Sequence, residues 1–116
     1  MNVVVQGTNE FEDYNIFLRA MGVALSGMLQ DDNYINIYSV GPARINSMVL
    51  EFCNLSERGM KARGKKIKHY KVPPSWVDEN MEHMNYFAYL SNPKQATSKL
   101  VAKAELQNIE VGIFRY

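Results

Sequence analysis

The sequence predicts a three-layer α/β domain with a mainly parallel, five-stranded sheet. Short β-branched or aromatic runs alternate with longer stretches of helical spacing, the pattern of strands joined by crossover helices. The first such run, Val3-Val4-Val5, is apolar at every position, as a central strand buried on both faces must be. Glycine-bearing breaks at Gly7 and Gly41 follow the first two runs, where β-to-α loops belong.

The first strand is expected over Asn2 to Val5, ending at Gln6-Gly7-Thr8-Asn9. A helix follows from about Tyr14 to Leu29, because Ile16, Phe17, Ala20, Met21, Ala24, Leu25 and Met28 recur at three- and four-residue spacing; Asp13 suits its N-cap. Tyr34 to Val40 reads as the second strand, broken by Gly41-Pro42-Ala43-Arg44. The second helix is expected from about Ile45 to Arg58, burying Met48, Val49, Phe52 and Leu55 and stopping near Gly59. Lys66 to Val72 reads as a third strand whose lysines mark a sheet edge, and Pro73-Pro74 ends it. Ser75 to Met84 suits a short helical turn, Asn85 to Leu90 a fourth strand, Ala96 to Gln107 a third helix, and Glu110 to Phe114 a closing strand. This is a Rossmann-like arrangement, expected to span residues 1–116 as one domain, since a chain of 116 residues can build one core and not two.

Composition narrows the function classes. An apolar fraction of 47% with 22% charged residues is that of a globular chain rather than a disordered one. The net charge of +1 gives no overall field that requires nucleic acid or a membrane as partner. Cys53 is the sole cysteine and lies in an apolar stretch, so it reads as a core residue and offers neither a disulfide nor a cysteine metal cluster. With no leader-like segment ahead of Val3 and no apolar run approaching about 20 residues, the expected location is the cytoplasm, the host's included, without membrane association. A run from Arg58 to Lys71 gathers seven basic residues around His69 and Tyr70. Its neighbouring aromatic residues show no stacking motif in sequence, so it reads as a solvated edge, and nucleic acid is not an expected partner.

Ligands of open parallel sheets sit beyond the carboxyl ends of the strands, where strand order reverses. Three loops are expected to meet there, Gln6 to Glu12, Gly41 to Asn46 and Ser91 to Ser98. Gly7, Gly41, Ala43 and Ala96 suit close approach of a phosphate to helix N-termini. Thr8, Asn9, Asn46, Thr97 and Ser98 offer neutral donors, Arg44 and Lys94 or Lys99 offer positive charge, and Pro42 and Ser91 complete the loops. The two histidines, His69 and His83, lack ligand spacing, and neither metal nor cofactor is expected. Trp76, just after the proline pair, suits a plug at the sheet edge, with a surface anchor or a lid over the site as the alternatives.

Val3-Val4-Val5-Gln6-Gly7-Thr8-Asn9-Glu10-Phe11, Ser39-Val40-Gly41-Pro42-Ala43-Arg44, and Tyr86 to Leu90 with Ala96-Thr97-Ser98-Lys99 and Ile109-Glu110-Val111 resemble, in this order, the opening strand and glycine turn, the second glycine loop, and the later strand, turn, helix and final strand of the SLOG branch of Rossmann-like domains. That branch includes nucleotide-processing LOG enzymes, DNA-processing Smf proteins and small YpsA-related ligand binders. The chain departs from it in having Val40 where a first loop glycine is usual, Asn46 where an aspartate is usual, and Ala96 in place of the glycine of the Gly-Thr turn. Ser98, Lys99 and Leu100 follow Thr97 where the phosphoribohydrolase members carry an acid.

The resemblance implies a nucleotide-derived ligand, such as an ADP-ribose-like or cyclic nucleotide signal, and the missing acid implies binding without catalysis. Cleaving an N-glycosidic bond needs a positioned acid or nucleophile, and Glu10, Glu12 and Asp13 share one loop without an evident partner. A small stand-alone binder suits sequestration of a signal, as in a viral anti-defence sponge. A LOG-like nucleoside monophosphate phosphoribohydrolase and an interaction domain that has lost its pocket are the alternatives. A homodimer or higher homo-oligomer is the expected assembly.

Overall fold

The computed structural model describes residues 1–92 and 98–115. Its elements follow in the order β1 (Asn2–Gly7), α1 (Tyr14–Leu25), β2 (Tyr34–Val40), α2 (Ala43–Ala62), β3 (Lys66–Lys71), α3 (Pro74–Asn80), a 3-10 turn (Met81–His83), β4 (Tyr86–Ser91), α4 (Lys99–Leu106) and β5 (Glu110–Arg115). The five strands form one sheet in the order β3-β2-β1-β4-β5, with every pairing parallel. The fold is thus the three-layer α/β arrangement that the alternation of strand and helix patterns predicts.

The chain steps in one direction from β1 to β3 and in the other from β4 to β5, so right-handed connections place helices on opposite faces. One core packs α1 and α2 against Val3, Val5, Ile35, Ile37, Ala88 and Leu90. The second packs α3 and α4 against Val4, Val40, Phe87 and Tyr89. All three valines of β1 are fully buried because alternate side chains enter the two cores. Cys53 lies in the first core, where burial pushes its thiol up to about 11, so it stays protonated and inert as a nucleophile.

Several boundaries differ from the sequence expectation, each for a physical reason. β1 continues to Gly7 because Gln6 and Gly7 keep partners in Val40, Tyr89 and Leu90. α1 ends at Leu25, four residues early, with Ser26 as C-cap before Gly27. Asp13 caps its start through Ile16 N at 3.1 Å. α2 passes through Gly59, because an isolated helical glycine costs only about 1 kcal/mol and the following Met60 is anchored in the core. The stop is Gly64, whose φ of +73° turns the chain into β3. Leu55 is 71% exposed rather than buried: it lies about 200° around α2 from the core residue Cys53. The proline-pair segment supplies α3, a fourth α-helix, and α4 begins at Lys99 with Ser98 as its cap. No helix of the described residues is long and apolar enough to cross a membrane.

Candidate functional site

Gly7 of β1 and Leu90 of β4 are direct neighbours, and the chains leaving these strands run to opposite faces of the sheet. This is the point where strand order reverses, the place at which open α/β sheets offer a ligand crevice beyond the carboxyl ends of their strands. Thr8 N extends the ladder by donating to Leu90 O at 3.2 Å. Phe11, fully buried, pins the following turn through its own amide to Thr8 O, leaving Asn9 and Glu10 exposed at the tip.

Polar groups close the crevice on two levels. At its floor, Ser98 Oγ donates to Gln6 Oε1 at 2.7 Å and accepts from Val101 N at 3.1 Å, so one hydroxyl caps α4 and ties it to β1. At its rim, Arg44 donates to Glu12 at 2.8 Å, linking the loop after β2 to the loop after β1. Asn92 faces Glu10 at 3.5 Å on the β4 side.

The two glycines do something the sequence does not announce. A Cβ on Gly7 would run into the Ile45 side chain, and one on Gly41 would lie 2.8 Å from Gly7 O. Gly41 also holds φ at +121°, a conformation L side chains rarely adopt. Both missing side chains therefore let the start of α2 settle directly on the end of β1. That start carries Pro42 as N-cap with no side-chain hydrogen bond, whereas α1 and α4 are capped by Asp13 and Ser98. The first amides of α2 and the guanidinium of Arg44 thus give this part of the rim groups that attract an anion.

The remaining expected residues are placed as follows. Thr8, Asn9, Pro42, Ala43 and Arg44 lie on the two loops that meet at the crevice, and Ser98 lies across it. Ser91, the last residue of β4, is buried. Lys94, Ala96 and Thr97 lie outside the described residues. Asn46 turns inward: its Oδ1 accepts from Ser39 Oγ at 2.5 Å and its Nδ2 points to Gly41 O at 3.4 Å, so its amide holds the loop.

His69 Nε2 lies 2.6 Å from the same Ser39 Oγ. The serine has one hydrogen and gives it to Asn46, so the imidazole must carry its hydrogen on Nε2 and donate to Ser39. Ser39 is fully buried and its histidine neighbour donates rather than accepts, so the pair is a structural bridge between β2, β3 and α2 and not an activated nucleophile. Sequence offers no signal for it, since the three residues meet only through strand register and the first turn of α2. Burial lowers the His69 pKa from 6.5, which favours the neutral ring in the folded state. Its contribution to stability is complete above about pH 6.5 and is lost as pH falls through the lowered folded-state value, because the unfolded chain takes up the proton first. Melting followed between pH 8 and 5.5 is expected to fall more steeply for the parent chain than for His69→Gln.

Among the described residues no three His, Cys, Asp or Glu side chains gather as a metal site. Comparisons with protein-family models, curated proteins and solved structures gave no match.

Proposed function

We propose that this chain binds a nucleotide-derived small molecule across the carboxyl ends of β2, β1 and β4, and does so without turning it over. The observation that carries the reading is the reversal of strand order between β1 and β4, with the uncapped start of α2 seated beside it by Gly7 and Gly41. In this reading the ligand's phosphate meets the Ala43 and Arg44 amides and the Arg44 guanidinium. Ribose and base extend over Asn9, Thr8 and the Gln6–Ser98 bridge. The SLOG resemblance supports ADP-ribose-type or cyclic nucleotide ligands for such a crevice.

Catalysis has no comparable support. Glu10 and Glu12 stand exposed at the rim, and Glu12 is engaged by Arg44, so neither is a carboxyl held in an apolar site as a general acid requires. Binding without turnover keeps a signal out of circulation, which is the action of a sponge.

A thermal-shift screen against ADP-ribose isomers, cyclic dinucleotides and mononucleotides tests the reading. A ligand at 100 times its Kd adds about 2.7 kcal/mol, or roughly 11 °C for a domain of this size. Arg44→Ala is expected to weaken binding about tenfold or more through loss of a charge-assisted contact. Glu12→Gln is expected to tighten it severalfold, because the carboxylate now competes with the ligand phosphate for the same guanidinium. A flat screen across all three classes overturns the proposal.

A further inference from the structure

We infer that the β2–β3 edge of the sheet is a docking surface for single-stranded nucleic acid. Tyr38 of β2 is sandwiched between two rings: Tyr70 of β3 stacks on it at 5.2 Å between centroids and Trp76 of α3 at 4.6 Å. The three rings form a column running across the sheet toward its β3 edge. Tyr70 is its outermost member, 40% exposed, on a strand with no neighbour beyond it among the described residues. The column therefore ends in an aromatic face open to solvent, on which a nucleobase can stack as a fourth layer whatever its identity.

Charge on the same face suits the backbone of such a ligand. Side chains alternate along β3, so Lys66 and Lys68 share the face of Tyr70, and both are exposed. Tyr34, 57% exposed, lies opposite Lys66 in the β2 register and gives a second aromatic surface. Around the strand edge, a cleft of about 370 Å³ is lined by Lys61, Lys65, Lys66, Ile67 and Lys68, with Glu57 as its single acid. Exposed Arg58 and Arg63 on and just beyond α2 extend the positive border.

Spacing favours a single strand over a duplex. Same-face residues recur about every 6.7 Å along a β-strand, twice the 3.4 Å rise of a stacked nucleic-acid strand. An extended, unstacked chain can set one phosphate per lysine and present its bases to Tyr70 and Tyr34. A duplex keeps its bases stacked on one another and cannot reach the ring. An acidic peptide would satisfy the lysines and leave the open ring face unused.

Fluorescence anisotropy with labelled dodecamers of uridine and of deoxythymidine tests this, with a duplex of the same length and polyglutamate as competitors. Both single strands are expected to bind, and any difference between them tells RNA from DNA as the preferred source. Tyr70→Ala, an exposed substitution, is expected to weaken binding about tenfold, and Lys68→Glu to weaken it and lower the slope of log K against log salt by about 0.7. Arg19→Glu on α1, at the opposite face, and Arg44→Ala in the crevice are expected to leave oligonucleotide binding unchanged. Far-ultraviolet circular dichroism of each variant separates lost binding from lost fold. Absence of binding at low salt, equal competition by duplex or polyglutamate, or affinity indifferent to both Tyr70→Ala and Lys68→Glu overturns the inference. Because the crevice and the edge are altered by different substitutions, failure here is distinguishable from failure of the proposed small-molecule site.

Discussion

Gly41→Ala is expected to lower the melting temperature by roughly 12 °C, corresponding to about 3 kcal/mol in a domain of this size. Two costs combine in this substitution. The backbone at φ +121° lies outside the range that alanine adopts without strain, and the new methyl would stand 2.8 Å from Gly7 O, a backbone atom that cannot swing aside. Relief requires the start of α2 to lift from β1, which also loosens the packing of Ile45 over Gly7. Ligand affinity is expected to fall with stability, since the same displacement moves the amides and Arg44 that form the rim. Gly59→Ala is the matched control: a Cβ there meets nothing within 4 Å, and a helix-interior alanine is expected to stabilise by up to about 1 kcal/mol. Thermal and urea unfolding of the two variants checks both signs. Equal, small effects would mean that the close approach of Gly41 to Gly7 does not constrain the fold.

Lys65→Met is expected to cost a comparable amount, about 3 kcal/mol or roughly 12 °C. Lys65 is the one lysine of the basic run that is buried, at 5% exposure. Its ammonium donates to the carbonyls of Leu29, Gln30 and Asp32 at 3.0, 3.1 and 2.7 Å. These carbonyls belong to the connection between α1 and β2, where the chain has left its helix and not yet joined the sheet. Methionine preserves much of the apolar stem and removes all three charge-assisted hydrogen bonds, each contributing about 1 kcal/mol. Lys65 thus serves the fold, while Lys66 and Lys68 beside it remain exposed. Lys66→Met and Lys68→Met are therefore expected to leave the melting temperature within about 2 °C, and a drop as large as that of Lys65→Met would refute the division of roles.

Strands and helices were legible because burial imposes period on a sequence: β1 and β4 enter both cores through the hydrophobic runs Val3 to Val5 and Tyr86 to Leu90, and Asp13 announces the start of α1. What sequence could not supply is adjacency. The order β3-β2-β1-β4-β5 decides which loops face one another, and no residue encodes it alone. Gly7 and Gly41 stood out as turn glycines suited to a phosphate, yet their missing side chains are taken up by contacts with Ile45 and Gly7 O, which appear only when β1 and β2 pair. Asn46 was a candidate ligand contact by position, and the structure gives its amide to Ser39 and Gly41 instead. The Tyr38–Tyr70–Trp76 column was hidden for the same reason, because its members are brought together by the β2–β3 register and by the return of α3 over the sheet. Helix ends failed where a local signal met a stronger tertiary one, as at Gly59, where Met60 in the core carries α2 onward.

The account rests on ligand binding at the reversal of strand order, and amide-resolved NMR during titration with ADP-ribose and with a cyclic dinucleotide examines that most directly. Shifts concentrated in residues 7–13, 41–44, 92 and 98, and abolished for the same ligand by Arg44→Ala, are the expected result. A spectrum unmoved by either ligand, or shifts confined to β3 and the end of α2, would contradict it.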